Sequence, residues 1–367
     1  MTSGRCSSPT MIEWEQSFDP RPSRPTETTL TMSTHSLTMI AAVVVESGDR
    51  KQIELQTVSR PAAGPEEVVV RVRAAGLNRA DLALNVGHFK NSGSALGAAI
   101  PGVEFAGEVV ESGSGVSGFA PGDRVMAMGQ GAFAEFSKIH HRLLIRIPEG
   151  LDFTRAATAP VTLMTAHDAL VTRAGLCAGE TVLIQAVTSG VGIVACQIAR
   201  MRGARLVIGT SGSAQKVAQL QALGMGPDIV INPRSENTVE RVMQVTDGLG
   251  ADVIIDMLGG SCLNDNLHAA ALRGRIVMVG RMGGARGELD LDRVALRRLT
   301  LIGVTFRTRS IDEIAEVARS MALELSPALA SGDISWPVDR IFPLADVASA
   351  YAHMRSNAHA GKIAIRV

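Results

Sequence analysis

The sequence has few cysteines, and their spacing argues against a cysteine-based framework. The four cysteines, at positions 6, 177, 196 and 262, lie far apart and form no C-x-x-C pair. Disulfide scaffolds and structural zinc sites both need clustered cysteines. We therefore expect neither, and the composition favours a reducing, cytoplasmic compartment.

Aromatic residues and net charge are scarce as well. Phe, Trp and Tyr make up 3% of the chain, Tyr351 is its single tyrosine, and 36 basic residues balance 36 acidic ones. A chain without net charge has no overall field that would attract nucleic acid or an anionic membrane. We expect neither partner, and the shortage of rings disfavours a pocket that sandwiches a flat substrate.

Long apolar runs are absent, and the first 38 residues have no apolar periodicity. No run approaches the ~20 residues that span a bilayer, so a soluble protein is expected. Residues 1–38 are rich in Ser, Thr and Pro. We interpret them as a disordered leader, or as translation from upstream of the true start, with Met32 and Met39 as alternative starts.

The remaining chain changes its pattern twice. Residues 39–160 show short apolar strands separated by Gly and Pro turns, which is typical of a β-rich, partly closed barrel. Residues 161–307 alternate strands with helices, which predicts a doubly wound parallel sheet of α/β class. Residues 308–367 are interpreted as a return to the first domain, with the parallel sheet inserted in it. The predicted elements of the parallel sheet include strands at Asp228–Asn232, Ala251–Met257, Arg275–Gly280 and Thr300–Val304, and helices at Ala214–Leu223, Val239–Val245 and Cys262–Leu272.

The strongest motif joins the first strand of this sheet to its first helix. An apolar strand beginning at Thr181 is followed by Gly190-x-Gly192-x-x-Ala195 and then by helical spacing to Met201. The glycines permit a tight turn and a close approach of backbone to a pyrophosphate, and the helix N-terminus offers free N–H groups. The motif predicts a dinucleotide-binding corner.

The order of the segments from Met39 to Val367 resembles the medium-chain dehydrogenase/reductase superfamily and, within it, the zinc-independent NADPH:quinone oxidoreductases. This resemblance implies a GroES-like catalytic domain around a Rossmann NADPH-binding domain. The segments that carry it are Ala75–Leu82, Gly122–Val125, Ser189–Gly192 and Ser356–Ile363.

The segments where zinc-dependent relatives place their metal ligands contain none here. Gly76-Leu77-Asn78 and Gly102-Val103-Glu104 offer neither a thiolate nor an imidazole, so three ligands around an open position cannot be assembled. His140 and His141 are adjacent, and we expect adjacent strand residues to point to opposite faces. No metal site is predicted.

The second strand of the parallel sheet indicates which cofactor binds. Val207–Ser213 contains no carboxylate to hold the ribose hydroxyls of NAD, whereas Lys216 in the next helix suits a 2′-phosphate. NADPH is therefore predicted. The expected cofactor-binding residues are Thr162, Ser189, Gly190, Val191, Gly192, Thr210, Ser211, Ser213, Lys216, Leu258, Gly280, Met282, Val304, Phe306 and Asn357.

Without a metal to activate an alcohol, the chemistry left is hydride addition from NADPH to an electron-poor acceptor. The resemblance implies that this acceptor is a quinone or an α,β-unsaturated carbonyl. The resemblance implies that Asn78 faces the nicotinamide ribose and the substrate, although capping of the following helix is an equal alternative. Phe89 stands where many relatives have a tyrosine, so it can pack but not donate. Thr165, like Thr162, could bond the carboxamide or the substrate.

Two other functions stay open. One is an enoyl-thioester reductase of the same superfamily, and the other is a non-catalytic, crystallin-like NADPH-binding protein. By family habit we also expect a homodimer through the sheet edge near Thr300–Phe306. The sequence does not identify the physiological acceptor or the proton donor.

Overall fold

The computed structural model describes residues 37–47, 50–83 and 100–367. Within these ranges the chain forms fifteen strands and nine α-helices. The strands are β1 (Thr38–Ser47), β2 (Arg50–Ser59), β3 (Glu67–Leu77), β4 (Glu104–Ser112), β5 (Arg124–Met128), β6 (Phe136–His140), β7 (Leu144–Arg146), β8 (Thr181–Ile184), β9 (Leu206–Thr210), β10 (Ile229–Ile231), β11 (Ala251–Asp256), β12 (Ala270–Met278), β13 (Thr300–Gly303), β14 (Val338–Pro343) and β15 (Lys362–Arg366).

The α-helices are mostly short. They are α1 (Phe153–Ala157), α2 (Pro160–His167), α3 (Gly190–Met201), α4 (Ala214–Ala222), α5 (Thr238–Val245), α6 (Leu263–Ala269), α7 (Leu291–Arg297), α8 (Ile311–Ser331) and α9 (Val347–Ser356). In the part of the chain that the structure describes, no helix combines the length and the apolar character needed to cross a membrane.

The first sheet combines strands from the first part of the chain with its two C-terminal strands. Its order is β14-β15-β3-β4-β5-β7, and β6 pairs with β3 as a seventh strand. β15 runs antiparallel to β3, so the end of the chain lies beside the strand that precedes Asn78. The path is open at β14 and β7, as expected for a partly closed barrel, and β1 and β2 form a separate antiparallel pair.

The second sheet is parallel, with the strand order β10-β9-β8-β11-β12-β13. Its central strand β8 is buried along its whole length, which explains why an unbroken apolar run forms it. The order reverses beside β8, and open α/β sheets bind their ligands where the order reverses. The predicted α/β class with a doubly wound sheet is confirmed.

The predicted end of one helix was wrong. The helix predicted over Cys262–Leu272 ends at Ala269, because Ala270 already pairs with Ala251 in the parallel sheet. The register of this pair then shifts, and Arg273 takes a positive φ of 65°. A pattern read along one segment cannot reveal a pairing that the neighbouring strand imposes.

Some elements have no counterpart among the predicted ones. β2 and α7 are two of them, although α7 begins at a capping residue, Asp290, whose carboxylate accepts from the amide of Arg293. The helix α8 starts at Ile311, passes through Pro327 and ends at Gly332. A single proline removes one helical hydrogen bond, and the buried face of α8 offsets that loss.

A buried hydrogen bond joins the segment after α8 to the segment before α2. The indole Nε1 of Trp336 donates to Oγ1 of Thr158 at 2.9 Å, and both residues are buried. Thr158 in turn donates to the carbonyl of Arg155 at 2.9 Å. The contact ties the returning C-terminal segment to the end of the first domain's helix α1.

We expect Thr158→Val to lower the free energy of unfolding by about 1–3 kcal/mol, since it leaves the indole N–H of Trp336 buried without an acceptor. Thr158→Ser keeps the hydroxyl and serves as the control. Urea unfolding of both variants measures the difference. Equal stability of the Val and Ser variants would contradict the assigned hydrogen bond.

Candidate functional site

The glycine corner lies between β8 and α3. Ser189 caps α3, its Oγ accepting from the amide of Gly192 at 3.1 Å. A Cβ added at Gly192 would lie 2.7 Å from the Cα and carbonyl oxygen of Val187, so only glycine fits there. The chain therefore makes a tight turn directly before the N-terminus of α3, which is the arrangement that pyrophosphate-binding corners use.

Two side chains from outside the parallel sheet border this corner. A Cβ placed on Gly190 would lie 2.7 Å from Cδ of Lys362 and 3.4 Å from Oγ1 of Thr162. Thr162 is buried, and its Oγ1 has no hydrogen-bond partner among the residues that the structure describes. An orphaned hydroxyl beside a glycine cradle fits a polar group of a bound dinucleotide. Thr165, three residues further along α2, is also buried.

Lys362, Glu104 and Asn78 form a buried network next to the corner. The Nζ of Lys362 donates to Oε1 of Glu104 and to Oδ1 of Asn78, each at 2.6 Å. The Nδ2 of Asn78 donates to the same Oε1 at 2.8 Å. Glu104 and Lys362 are both buried, so each charge is compensated by the other.

Both carboxylate oxygens of Glu104 are in use. Its Oε2 accepts from the amide of Val161 at 2.8 Å, in the first turn of α2, where the helix dipole favours a negative charge. A Cβ on Gly76 would lie 2.3 Å from Oε1 of Glu104, so the strand that precedes Asn78 must have a glycine there.

The side chain of Asn78 does not cap the helical turn that follows it. Its amide group bonds Glu104 and Lys362, and the turn Arg79–Ala83 is instead held by Asp81, whose Oδ2 accepts from the backbone amide of Asn78 at 2.7 Å. The capping interpretation of Asn78 is therefore not seen, and its side chain belongs to the buried network with Glu104 and Lys362.

Burial raises the pKa of Asp81 to about 7, with a contribution from the nearby charge of Glu104. The amide of Asn78 and the charge of Lys362 act in the opposite direction. Two buried carboxyl groups thus share the influence of one ammonium, and Asp81 is the one that favours the neutral form.

Most of the other expected cofactor residues lie at the carboxyl ends of the parallel strands. Ser211 Oγ is 3.5 Å from Thr188 Oγ1, and Leu258 donates its amide to Asp256 at the end of β11. A Cβ on Gly280 would meet the carbonyl of Met257 at 2.3 Å. The following residues lie at the ends of β12 and β13: Met282, Val304 and Phe306.

Two of the expected residues, Thr210 and Phe306, have side chains that already contact other groups of the protein. The Oγ1 of Thr210 is buried within the sheet, where it donates to Oε1 of Gln185 at 2.6 Å and accepts from the amide of Ala186. The ring of Phe306 is covered by the guanidinium of Arg309 at 4.8 Å. Phe89 lies outside the described residues.

Ser213, Lys216 and Asn357 come together at the far end of the cleft. Ser213 caps α4 through the amide of Lys216, and Nζ of Lys216 donates to the carbonyl of Asn357 at 2.6 Å. Asn357 is left-handed, with a φ of 57°, and ends α9.

Sequence reasoning missed the pairing of Glu104 with Lys362. The two residues were considered singly, Glu104 within a segment that lacks zinc ligands and Lys362 within a family motif. The available signal was a charged residue at the start of each of two strands, followed directly by small or apolar residues, because such a charge needs a partner when it is buried.

The expectation for His140 and His141 was wrong. Their rings stack at a centroid distance of 5.1 Å, because β6 ends at His140 and the chain turns there. His140 pairs with Glu66 at 3.0 Å. Among the residues that the structure describes, no three His, Cys, Asp or Glu side chains are grouped so that they could hold a metal ion.

Comparisons with known proteins agree with this geometry. The family model for the alcohol dehydrogenase GroES-like domain matches residues 64–149, and the model for the zinc-binding dehydrogenase matches residues 190–322. A quinone oxidoreductase of Pongo abelii is 30% identical over 329 residues, which cover 88% of this chain and 96% of that protein.

Two further similarities bear on the function. Erythronolide synthase EryA2 of Saccharopolyspora erythraea is 34% identical over 299 residues, which are 82% of this chain but only 8% of that much longer protein. The crystal structure of Escherichia coli quinone oxidoreductase complexed with NADPH superposes with a TM-score of 0.76 at 28% identity, covering 90% of this chain and 100% of the other.

A GroES-like sheet joined to a parallel sheet with a glycine corner defines an oxidoreductase of the medium-chain dehydrogenase/reductase superfamily, and this chain belongs to it. Within that superfamily, the relatives that this chain matches over nearly their whole length are quinone oxidoreductases, which places it with the quinone oxidoreductase-like proteins.

The pKa of Asp81 provides a test of the buried network. Because the folded pKa lies above the unfolded value of 3.8, its stabilising contribution is complete below pH 4 and is lost as the pH rises through about 7. Asp81→Asn removes this dependence. Relative to the wild type, we expect the variant to gain up to about 4 kcal/mol in free energy of unfolding between pH 4 and pH 8.

Asp123→Asn is the matched control. A hydrogen bond from Arg146 lowers the pKa of Asp123, so the stability that this contact gives the wild type is lost only at a pH below the unfolded value of 3.8. Between pH 4 and pH 8 this variant should therefore keep a nearly constant difference in stability from the wild type. Urea titrations at both pH values measure the two variants, and a pH dependence of the Asp81 variant no larger than that of the control would refute the assignment for Asp81.

Proposed function

We propose that the chain is a zinc-independent reductase that uses NADPH to reduce a quinone or an α,β-unsaturated carbonyl compound. The observation that carries this proposal is the glycine corner, bordered by the orphaned hydroxyl of Thr162 and by the buried network of Lys362, Glu104 and Asn78. When bound, the cofactor supplies hydride. The remaining work is binding, orientation and stabilisation of charge.

The corner would hold the pyrophosphate through the backbone amides at the start of α3. We assign the Oγ1 of Thr162 to the carboxamide of the nicotinamide, since it is buried beside Gly190 and has no partner within the described part of the chain. Thr165 would extend the same polar surface along α2. Val304 and Phe306, after β13, would give the apolar wall that excludes water.

Lys362 and Asn78 would set the polarity near the reacting groups. The ammonium gives two N–H groups to Asn78 and Glu104 and has a third that can donate to a developing negative charge. Glu104 pairs with that ammonium and holds it in place. An ammonium offers no lone pair to a metal, so the network suits a reaction without one.

Lys216 and Arg234 support the choice of NADPH over NADH. Lys216 lies in the first turn of α4, after a strand end that has no carboxylate. The Nε of Arg234 would lie 2.8 Å from a Cβ added at Gly212, so its guanidinium covers the loop between β9 and α4. Two cations at this loop favour a phosphate on the ribose.

An enoyl-thioester reductase is the second candidate. The similarity to erythronolide synthase, at 34% identity, favours it. Both candidates add hydride to a carbon conjugated with a carbonyl group, so the same network would serve either substrate. They differ in what the entrance of the cleft must accommodate.

A substrate panel with NADPH and NADH side by side tests these assignments. We expect turnover with NADPH on quinones or enones, and we expect Lys216→Ala to reduce the preference for NADPH over NADH about tenfold, since one charge-assisted contact is lost. Initial rates over a range of cofactor concentrations measure the preference. Turnover confined to enoyl thioesters would favour the second candidate.

The panel has one control, the addition of a chelator. It should leave the rate unchanged, and loss of activity would contradict the zinc-independent mechanism. Cofactor binding without turnover on quinones, enones and enoyl thioesters would instead indicate a non-catalytic binding protein.

We also propose a homodimer through the open edge of the parallel sheet. β13 lies at that edge, and the amide of Val304 donates to Met278 of the neighbouring strand. Alternate amides of a strand point to opposite sides, so the amide of Gly303 points to the open edge. Such an edge pairs readily with a second copy.

Gly303→Pro removes this outward donor and should shift the protein from dimer to monomer. Gly303→Ala keeps the amide and is the control, since a Cβ at this position meets no atom within 4 Å. Light scattering gives the mass of each variant. A dimer that persists in the Pro variant would place the interface elsewhere.

A further inference from the structure

Cationic and polar groups from three parts of the chain converge at the end of the cleft near α4. Nη2 of Arg79, in the turn after β3, bonds Oδ1 of Asn357, and Nζ of Lys216 bonds the backbone carbonyl of the same asparagine at 2.6 Å. The left-handed conformation of Asn357 presents both oxygens to the two cations. A single residue therefore holds Arg79 next to Lys216.

These cations have no carboxylate as a direct partner among the residues that the structure describes. The charge of Asp339 acts on Lys216. Its carboxylate, however, is already bonded to Nε2 of His353 at 2.8 Å and to the amide of Ala360 at 3.2 Å. Arg79 and Lys216 are thus held together by neutral oxygens, and their charges are left to repel each other.

His359 adds an unpartnered nitrogen to the same cluster. The residue is 8% exposed, and its Nδ1 is buried without a hydrogen-bond partner in the described ranges of the chain. Burial, followed by the charges of Arg79 and Lys216, lowers the pKa of His359 to about 4. An orphaned ring nitrogen beside two uncompensated cations is the environment that an anion would complete.

The position of the cluster indicates which anion fits. Lys216 lies in the first turn of the helix that follows β9, and the end of this strand is where dinucleotide-binding sheets contact the adenosine ribose. The pyrophosphate is already accounted for by the glycine corner. The neutral oxygens of Asn357 could be exchanged for the oxygens of a dianion, which form shorter and stronger bonds with both cations.

We propose that Arg79, with Lys216 and His359, binds the 2′-phosphate of the cofactor's adenosine. Lys216 would then provide one specificity-determining contact from the domain of the parallel sheet, and Arg79 would add a second one from the GroES-like domain. The inference rests on the proposed use of NADPH and extends it, because Arg79 belongs to a different domain from the loop that usually selects the cofactor. Arginine suits the role, since its planar fork can bind two phosphate oxygens at once.

Binding of cofactor fragments to the full chain tests the inference without turnover. Calorimetric titrations would compare 2′,5′-ADP, 3′,5′-ADP and 5′-AMP, and would be repeated with NADPH and NADH. We expect Arg79→Gln to weaken binding of 2′,5′-ADP and NADPH by about tenfold to a hundredfold, as for loss of a charged hydrogen bond. Binding of 5′-AMP and NADH should not change.

Two further variants serve as controls. Arg79→Lys retains the charge and should keep part of the lost affinity. Arg73→Gln removes an arginine from β3 that pairs with Glu108 at 2.6 Å, and it should leave every fragment affinity unchanged. Thermal unfolding of each variant confirms that the titrated protein is folded.

Several results would overturn the inference. They are an equal loss for 2′,5′-ADP and 5′-AMP, no loss for either, or binding of 3′,5′-ADP as tight as that of 2′,5′-ADP. If Arg79→Gln changes nothing while the wild type still prefers NADPH, the inference fails and the proposed function stands. If the wild type binds 2′,5′-ADP no better than 5′-AMP, the assignment of NADPH fails as well.

Discussion

The buried contact between Lys362 and Glu104 is the interaction on which the candidate site depends. It joins the last strand of the chain to β4, and its lysine borders the glycine corner of the parallel sheet. Neither charge would be tolerated alone at this depth, because an unpaired buried ion loses its hydration and gains no compensating contact. The network therefore requires the C-terminal strand to return to the first sheet.

The cleft differs in charge between its two ends. At the glycine corner the charges of Lys362 and Glu104 cancel, and backbone amides provide the donors. At the end near α4, Arg79 and Lys216 converge on the neutral oxygens of Asn357. A neutral end lined with amides suits the pyrophosphate and the reacting groups, whereas an uncompensated cationic end suits a phosphate monoester.

The elements of the parallel sheet were predictable because each one carries its own signal. The glycines at 190 and 192 predicted a tight turn, and the structure shows that a side chain at Gly192 would collide with Val187. The prediction failed where a neighbour decides the conformation. Ala270 extends a strand because Ala251 pairs with it, and the rings of His140 and His141 stack because β6 ends between them.

The sequence by itself determined the class of fold, the position of the glycine corner and the absence of a carboxylate after β9, since each of these depends on a short run of neighbouring residues. Only the tertiary structure decided that Asn78 bonds Glu104 and Lys362 and that Arg79 lies beside Lys216. Asn78 and Lys362 are 284 positions apart in the chain. Contacts at such separations depend on how the sheets pair and close, and no local pattern of residues encodes them.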